Sequence, residues 1–210
     1  MARAHTPYRR KNRLSREEKA EETRRSLFRA AAKIVGKYGY ADASISRITT
    51  EANIAQGTFY NYFETRQDLF DQLLPEVGGV MLEHIKAQVD PAATGVEREL
   101  QRLTAYFDYL HENPEFYRIL NEAEIFAPKA HEKHFDLLVS GYLAAFRRSR
   151  DRDELKHFTD DELEVVAYML LAARGYLSLG YAVRGGRSRK VPQQVYSAYE
   201  KFVRSGLFRL

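Results

Sequence analysis

Between Arg47 and Arg66 the chain reads RITTEANIAQGTFYNYFETR, and four rings (Phe59, Tyr60, Tyr62, Phe63) fall within five positions directly after Gly57. Threaded among them are Gln56, Thr58 and Asn61. These are the residue types that read base edges: Gln and Asn pair with adenine, and Thr meets a hydroxyl-reachable atom or the thymine methyl. Tyrosine adds a rigid apolar body with a hydroxyl tip, suited to sugar and phosphate. Gly57, without a side chain, lets backbone approach backbone, and a helix start there favours phosphate. Arg47 and Arg66, on flanking elements, supply cations for the same polyanion.

Such residues need a scaffold. Ile45, Ile48 and Ala52 recur at helical spacing behind Ser44 and predict a short helix over 45–52 with one buried face. Asn53, the non-glycine residue most tolerant of a left-handed turn, follows it, and Ile54 plugs the elbow. A second helix over Gln56–Tyr62 then turns Phe59 and Phe63 inward and Gln56, Thr58, Asn61 and Tyr62 outward, with Tyr60 at the boundary. Helix, tight turn and helix is the layout in which the second helix enters the major groove.

Thr23 to Leu74, from TRRSLFRAAAKIVGKYGYADASISRI through ANIAQGTFYNYFETRQDLF, resembles the TetR family of bacterial one-component repressors. Gly57, Thr58, Tyr60, Tyr62, Phe63 and Leu69 fall on the family pattern, and Arg66 stands where lysine is usual. Thr49, Asn53 and Ala55 depart from the usual alanine, glycine and serine. The Ala55 change removes a helix cap, at about 1 kcal/mol. The resemblance implies DNA contacts from Ser44, Ser46, Arg47, Ala55, Gln56, Gly57, Thr58, Tyr60, Asn61, Tyr62 and Arg66. It further implies a C-terminal helical domain that dimerises and binds a small inducer, the operator being double-stranded DNA.

Charge points the same way. Residues 1–70 carry 14 Lys+Arg against 8 Asp+Glu, a balance of +6, whereas the remainder holds 19 against 21, or −2. Arg9, Arg10, Lys11 and Arg13 form a basic arm over residues 1–20, either a minor-groove contact or a solvated tail. The absence of cysteine excludes disulfides and thiolate chemistry and suits a reducing cytoplasm. GxSxG, HExxH, GxGxxG and GxxxxGK[ST] signatures are all missing, so no enzyme, cofactor or metal site is expected.

Helix starts punctuate the rest. Ser15–Glu18, Thr94–Glu97 and Thr159–Glu162 match the capping box, and prolines 114, 128 and 192 sit at helix entries. The expected fold is all-α: a helix-turn-helix domain over 21–81, with the motif at 44–63, and a helical bundle over 82–210. Val165–Val183 is long enough to cross a bilayer, but Arg174 at its centre argues for burial within an oligomer. That helix and Pro192–Ser205 are the expected dimer elements.

Tyr106, Tyr109, Phe116, Phe135, Tyr142, Tyr168 and Arg174 are the candidate ligand-pocket residues. Arg174 requires an anion, either an internal carboxylate such as Glu122 or Asp136 or the carboxylate of a ligand. An aromatic or fatty acid, or its thioester, is the inducer class this implies. His134, three residues after His131, is expected at the surface or pocket rim. The alternative function is a constitutive architectural DNA binder with a solid bundle.

Overall fold

A computed structural model describes residues 15–184 and 187–208. The arm residues Arg9, Arg10, Lys11 and Arg13 lie outside them. Helices account for most of the described chain, as the capping and apolar spacing require. Helix α1 (Arg16–Tyr38) opens on the Ser15–Glu18 capping box, complete in both directions. It ends at Gly39, whose φ of 83° with ψ of 166° is open to glycine alone. Helices α2 (Ile45–Glu51) and α3 (Gln56–Phe59) follow, then the long α4 (Arg66–Gln88), which keeps Pro75 within it and runs unbroken across residue 81.

The bundle consists of α5 (Gly95–Glu112), α6 (Glu115–Phe126), α7 (Pro128–Arg150), α8 (Asp160–Leu177) and α9 (Gln193–Phe202). Helices α8 and α9 each run on into a π-helical turn, Ser178–Ala182 and Val203–Leu207. Between them lies the only sheet among the described residues, a two-residue antiparallel ladder of β1 (Val183–Arg184) and β2 (Arg187–Ser188).

The front core gathers Leu27, Phe28 and Val35 of α1, Ile48 of α2, Phe59, Phe63, and Leu69 and Phe70 of α4. Phe28 and Phe63 meet edge-on, 5.3 Å between centroids. The junction with the bundle is tight. Glu115 of α6 occupies the space a Cβ on Gly36 would need, so only glycine lets α1 and α6 pack this closely. Glu122 of α6 accepts from the Tyr40 amide at 2.9 Å and from Arg118 at 2.5 Å, and Arg118 donates to the Lys37 carbonyl at 3.2 Å. Helix α6 therefore caps the C-terminal end of α1, whose last carbonyls would otherwise lack partners.

Candidate nucleic-acid interface and ligand cavity

The candidate surface begins at Ser44, which caps α2 by accepting from the Arg47 amide at 3.3 Å. Asn53 adopts φ 54°, the left-handed conformation its residue type tolerates, and its amide bonds to the Thr50 carbonyl at 3.1 Å. Ala55 stands at the N-cap of α3 without a side-chain bond, as the loss of serine requires. Gln56, Gly57, Tyr60 and Asn61 are exposed. A Cβ on Gly57 would meet nothing within 4 Å. The packing of this chain therefore does not require a glycine at that position.

Two expectations need correction here. Regular α3 ends at Phe59 rather than Tyr62, and residues 60–62 continue as a tight turn held by Asn61 N–H to Thr58 and Tyr62 N–H to Phe59. The turn rotates the two tyrosines: Tyr60, expected at the boundary, is 53% exposed, while Tyr62 and Thr58 are half-buried. Tyr62 packs on the core. The flanking cations are tethered. Arg47 donates to the Asp42 carbonyl at 3.0 Å with its guanidinium over Tyr38, and Arg66 donates to the Ala41 carbonyl at 3.2 Å. Both remain exposed beside Ser46. Tethering positions them in advance, which lowers the ordering cost of meeting a phosphate.

The bundle is not solid. A cavity of about 990 Å³ opens between α4, α5, α6, α7 and α8, at the upper end of the range for ligand sites. Its walls are apolar (Met81, Leu82, Ile85, Leu138 and Leu171 among them), and Tyr106, Phe116, Phe135, Tyr142 and Arg174 join them as expected. Tyr109 and Tyr168 do not. Tyr109 is core, its hydroxyl donating to the Val77 carbonyl at 3.3 Å and burial raising its pKa to about 12. Tyr168 is half exposed on the outer face of α8, because the i to i+6 step from Tyr168 to Arg174 leaves the two side chains about 120° apart around the helix.

Arg174 is paired with neither Glu122 nor Asp136. It donates to Glu99 Oε1 at 2.9 Å, both groups being almost wholly buried. The same oxygen accepts from the hydroxyls of Tyr199 at 2.8 Å and Tyr142 at 3.2 Å. Arg102 approaches Glu99 Oε2 at 3.4 Å. Burial pushes both tyrosine pKa values well above the ordinary phenol, so each hydroxyl keeps its proton and serves as a donor. Sequence reasoning missed Glu99. The signal was there: the inward stripe of α5, Val96, Leu103, Tyr106 and Leu110, carries a carboxylate at position 99.

His134 is likewise not at the surface. It is 2% exposed on the cavity wall, seated against Gly78 of α4, where a Cβ would strike its ring. Burial, reinforced by His131, lowers its pKa to about 4, and its Nε2 has no hydrogen-bond partner. Further out, Lys86, Arg148 and Arg152 stand at the exposed rim, with Glu83 and Glu124 nearby.

Residues 27–73 match the model of bacterial regulatory proteins, tetR family. That match lies within the front domain, where the chain is similar to the family. The chain is 28% identical over 81 residues to the fatty acid metabolism regulator protein of Bacillus subtilis, covering 39% of this chain and 42% of that one. Against the HTH-type transcriptional repressor NicS of Pseudomonas putida it is 31% identical over 113 residues, half of each chain. These matches span about half the length of the curated relatives. The TetR fold itself extends further: the regulator FadR from Bacillus subtilis, in complex with stearoyl-CoA, superposes with a TM-score of 0.74 at 16% identity, over 87% of this chain and 98% of that one. A TetR-family regulator from Haemophilus influenzae gives 0.70 at 17% identity, over 91% and 100%.

Proposed function

We propose that this chain is a homodimeric, ligand-responsive DNA-binding repressor, released from a pseudo-palindromic operator by an acyl ligand entering the bundle cavity. One observation carries the proposal. Helix α4 holds the reading domain at one end, through buried Leu69, Phe70 and Leu73, and walls the cavity at the other, through Met81, Leu82 and Ile85. A continuous helix of 23 residues spans about 34 Å. Whatever displaces one end displaces the other.

The dimer reading draws on α8. About a third of its most apolar stretch is buried; the opposite face exposes Val165, Tyr168, Met169, Tyr176 and Leu179. Phe202 of α9 is exposed too. Their spacing makes one continuous stripe, and Gly175 and Gly180 meet nothing that a Cβ would touch. A second copy covering this stripe supplies the two-fold arrangement in which paired reading helices address successive major grooves. The length and apolarity of the helix fit that role as well as they fit a membrane span.

The size, apolar walls and basic rim of the cavity favour a long amphipathic acid derivative, and the relative solved with stearoyl-CoA supports a fatty acyl thioester. The cavity also disfavours the constitutive architectural alternative, which has no use for it. Fluorescence anisotropy on DNA flanking the chain's own gene tests the proposal. Asn61→Ala and Tyr60→Ala should each weaken binding at least about tenfold, and long-chain acyl thioesters should release the wild type. A hundredfold release requires about 2.7 kcal/mol of differential affinity. Unchanged operator affinity across an acyl series would leave the constitutive reading standing.

A further inference from the structure

Glu99 has the surroundings of a bound ligand. Three donors, Arg174 Nη2 and the hydroxyls of Tyr142 and Tyr199, converge on one oxygen within 3.2 Å, and Arg102 approaches the other. The three donors come from α8, α7 and α9 and are brought to Glu99 by tertiary structure, whereas Arg102 is its i+3 neighbour on α5. Arg174, Tyr142 and Arg102 also line the cavity, while Glu99 lies behind them.

We propose that Arg174, Tyr142, Tyr199 and Arg102 form a carboxylate-binding site that the chain fills with its own Glu99, and that this internal anion makes the cavity select ligands whose inner end is uncharged. The proposal deepens the ligand-site reading and rests on it. A guanidinium facing an apolar cavity would ordinarily draw in a ligand carboxylate. Here Arg174 is already neutralised, and a second carboxylate brought to it would meet Glu99 at close range in a poorly solvated place, where like charges repel strongly. An anionic group is stable only outside, beside Lys86, Arg148 and Arg152. The ligand class is therefore a chain with one terminal anionic group held at the rim and an uncharged tail within. Diacids of the same length are excluded.

Two probes of equal length separate these cases, dodecanoate and dodecanedioate, titrated calorimetrically into the full chain. Wild type should bind the diacid at least about tenfold more weakly than the monoacid; equal affinity overturns the proposal. Glu99→Gln keeps the volume and removes the charge, leaving Arg174 uncompensated, so the gap should narrow to about threefold or less. A gap of wild-type width in Glu99→Gln also overturns it. In Glu99→Ala the vacated space should accept acetate: tens of millimolar should raise the melting temperature by several degrees, while acetamide should not. Absence of acetate rescue, or equal rescue by acetamide, counts against the site. If wild type binds neither probe, the selection against an inner charge fails for free acids and acetate rescue of Glu99→Ala decides whether the site exists, while release of operator DNA by acyl thioesters tests the functional reading separately. The rescue readout needs no DNA.

Discussion

His134→Leu tests how a buried histidine is held neutral. The ring sits on the cavity wall at 2% exposure, and burial first, with His131 second, lowers its pKa from the ordinary 6.5 to about 4. Because the folded value lies below the unfolded one, added acid protonates the unfolded chain first. The contribution of His134 is whole above about pH 6.5 and drains away as the pH falls toward 4. A gap of roughly 2.5 units at about 1.4 kcal/mol each gives about 3.5 kcal/mol of acid-dependent loss in full, about 3 kcal/mol of it by pH 4. For a chain of this length that corresponds to roughly 6 to 12 °C in melting temperature. Leucine is apolar, of similar bulk, and cannot titrate. Thermal unfolding of wild type and His134→Leu at half-unit steps from pH 7.5 to 4 should therefore give curves that diverge below pH 6.5, wild type falling faster. Carboxylates contribute equally to both curves and cancel in the difference. Parallel curves across the range would refute the burial assigned to this ring.

Gly78→Ala should destabilise by about 1–3 kcal/mol despite the helical preference for alanine, since the added methyl collides with the His134 ring; chemical denaturation reads the sign. Asn53→Gly should be neutral or better, whereas Asn53→Ala should cost about 1 kcal/mol, because φ 54° strains a β-carbon lacking a polar side chain. Both can be measured by urea unfolding. Met169→Glu paired with Leu179→Lys places charge on the exposed stripe of α8 and should leave a monomer by analytical ultracentrifugation, with helicity retained. A dimer surviving in that variant would move the interface elsewhere.

Much of this was legible in the residues. The Ser15, Thr94 and Thr159 capping boxes all form, because each satisfies orphan amides with groups three positions apart and needs no distant partner. Asn53 adopts positive φ for an equally local reason. Legibility fails where geometry is set at long range. Whether Tyr60 or Tyr62 faces outward depends on where α3 gives way to a turn, and a single residue of helix rotates a side chain by about 100°. Tyr168 and Arg174 share an apolar helix, and only packing reveals which side opens to the cavity. The Glu99–Arg174 pair joins positions 75 residues apart, beyond any spacing rule.

The seat of α6 on α1 has a mechanical consequence. Glu115 rests where the β-carbon of any residue but glycine would lie, and Arg118 and Glu122 grip the Lys37 carbonyl and the Tyr40 amide. The same helix presents Phe116 and Leu120 to the cavity. No compressible layer separates the two faces, so the joint has no backlash. A tilt imposed on α6 from within must either arrive at the end of α1 undiminished or snap one of those few bonds, which makes Glu122 the fuse of the assembly.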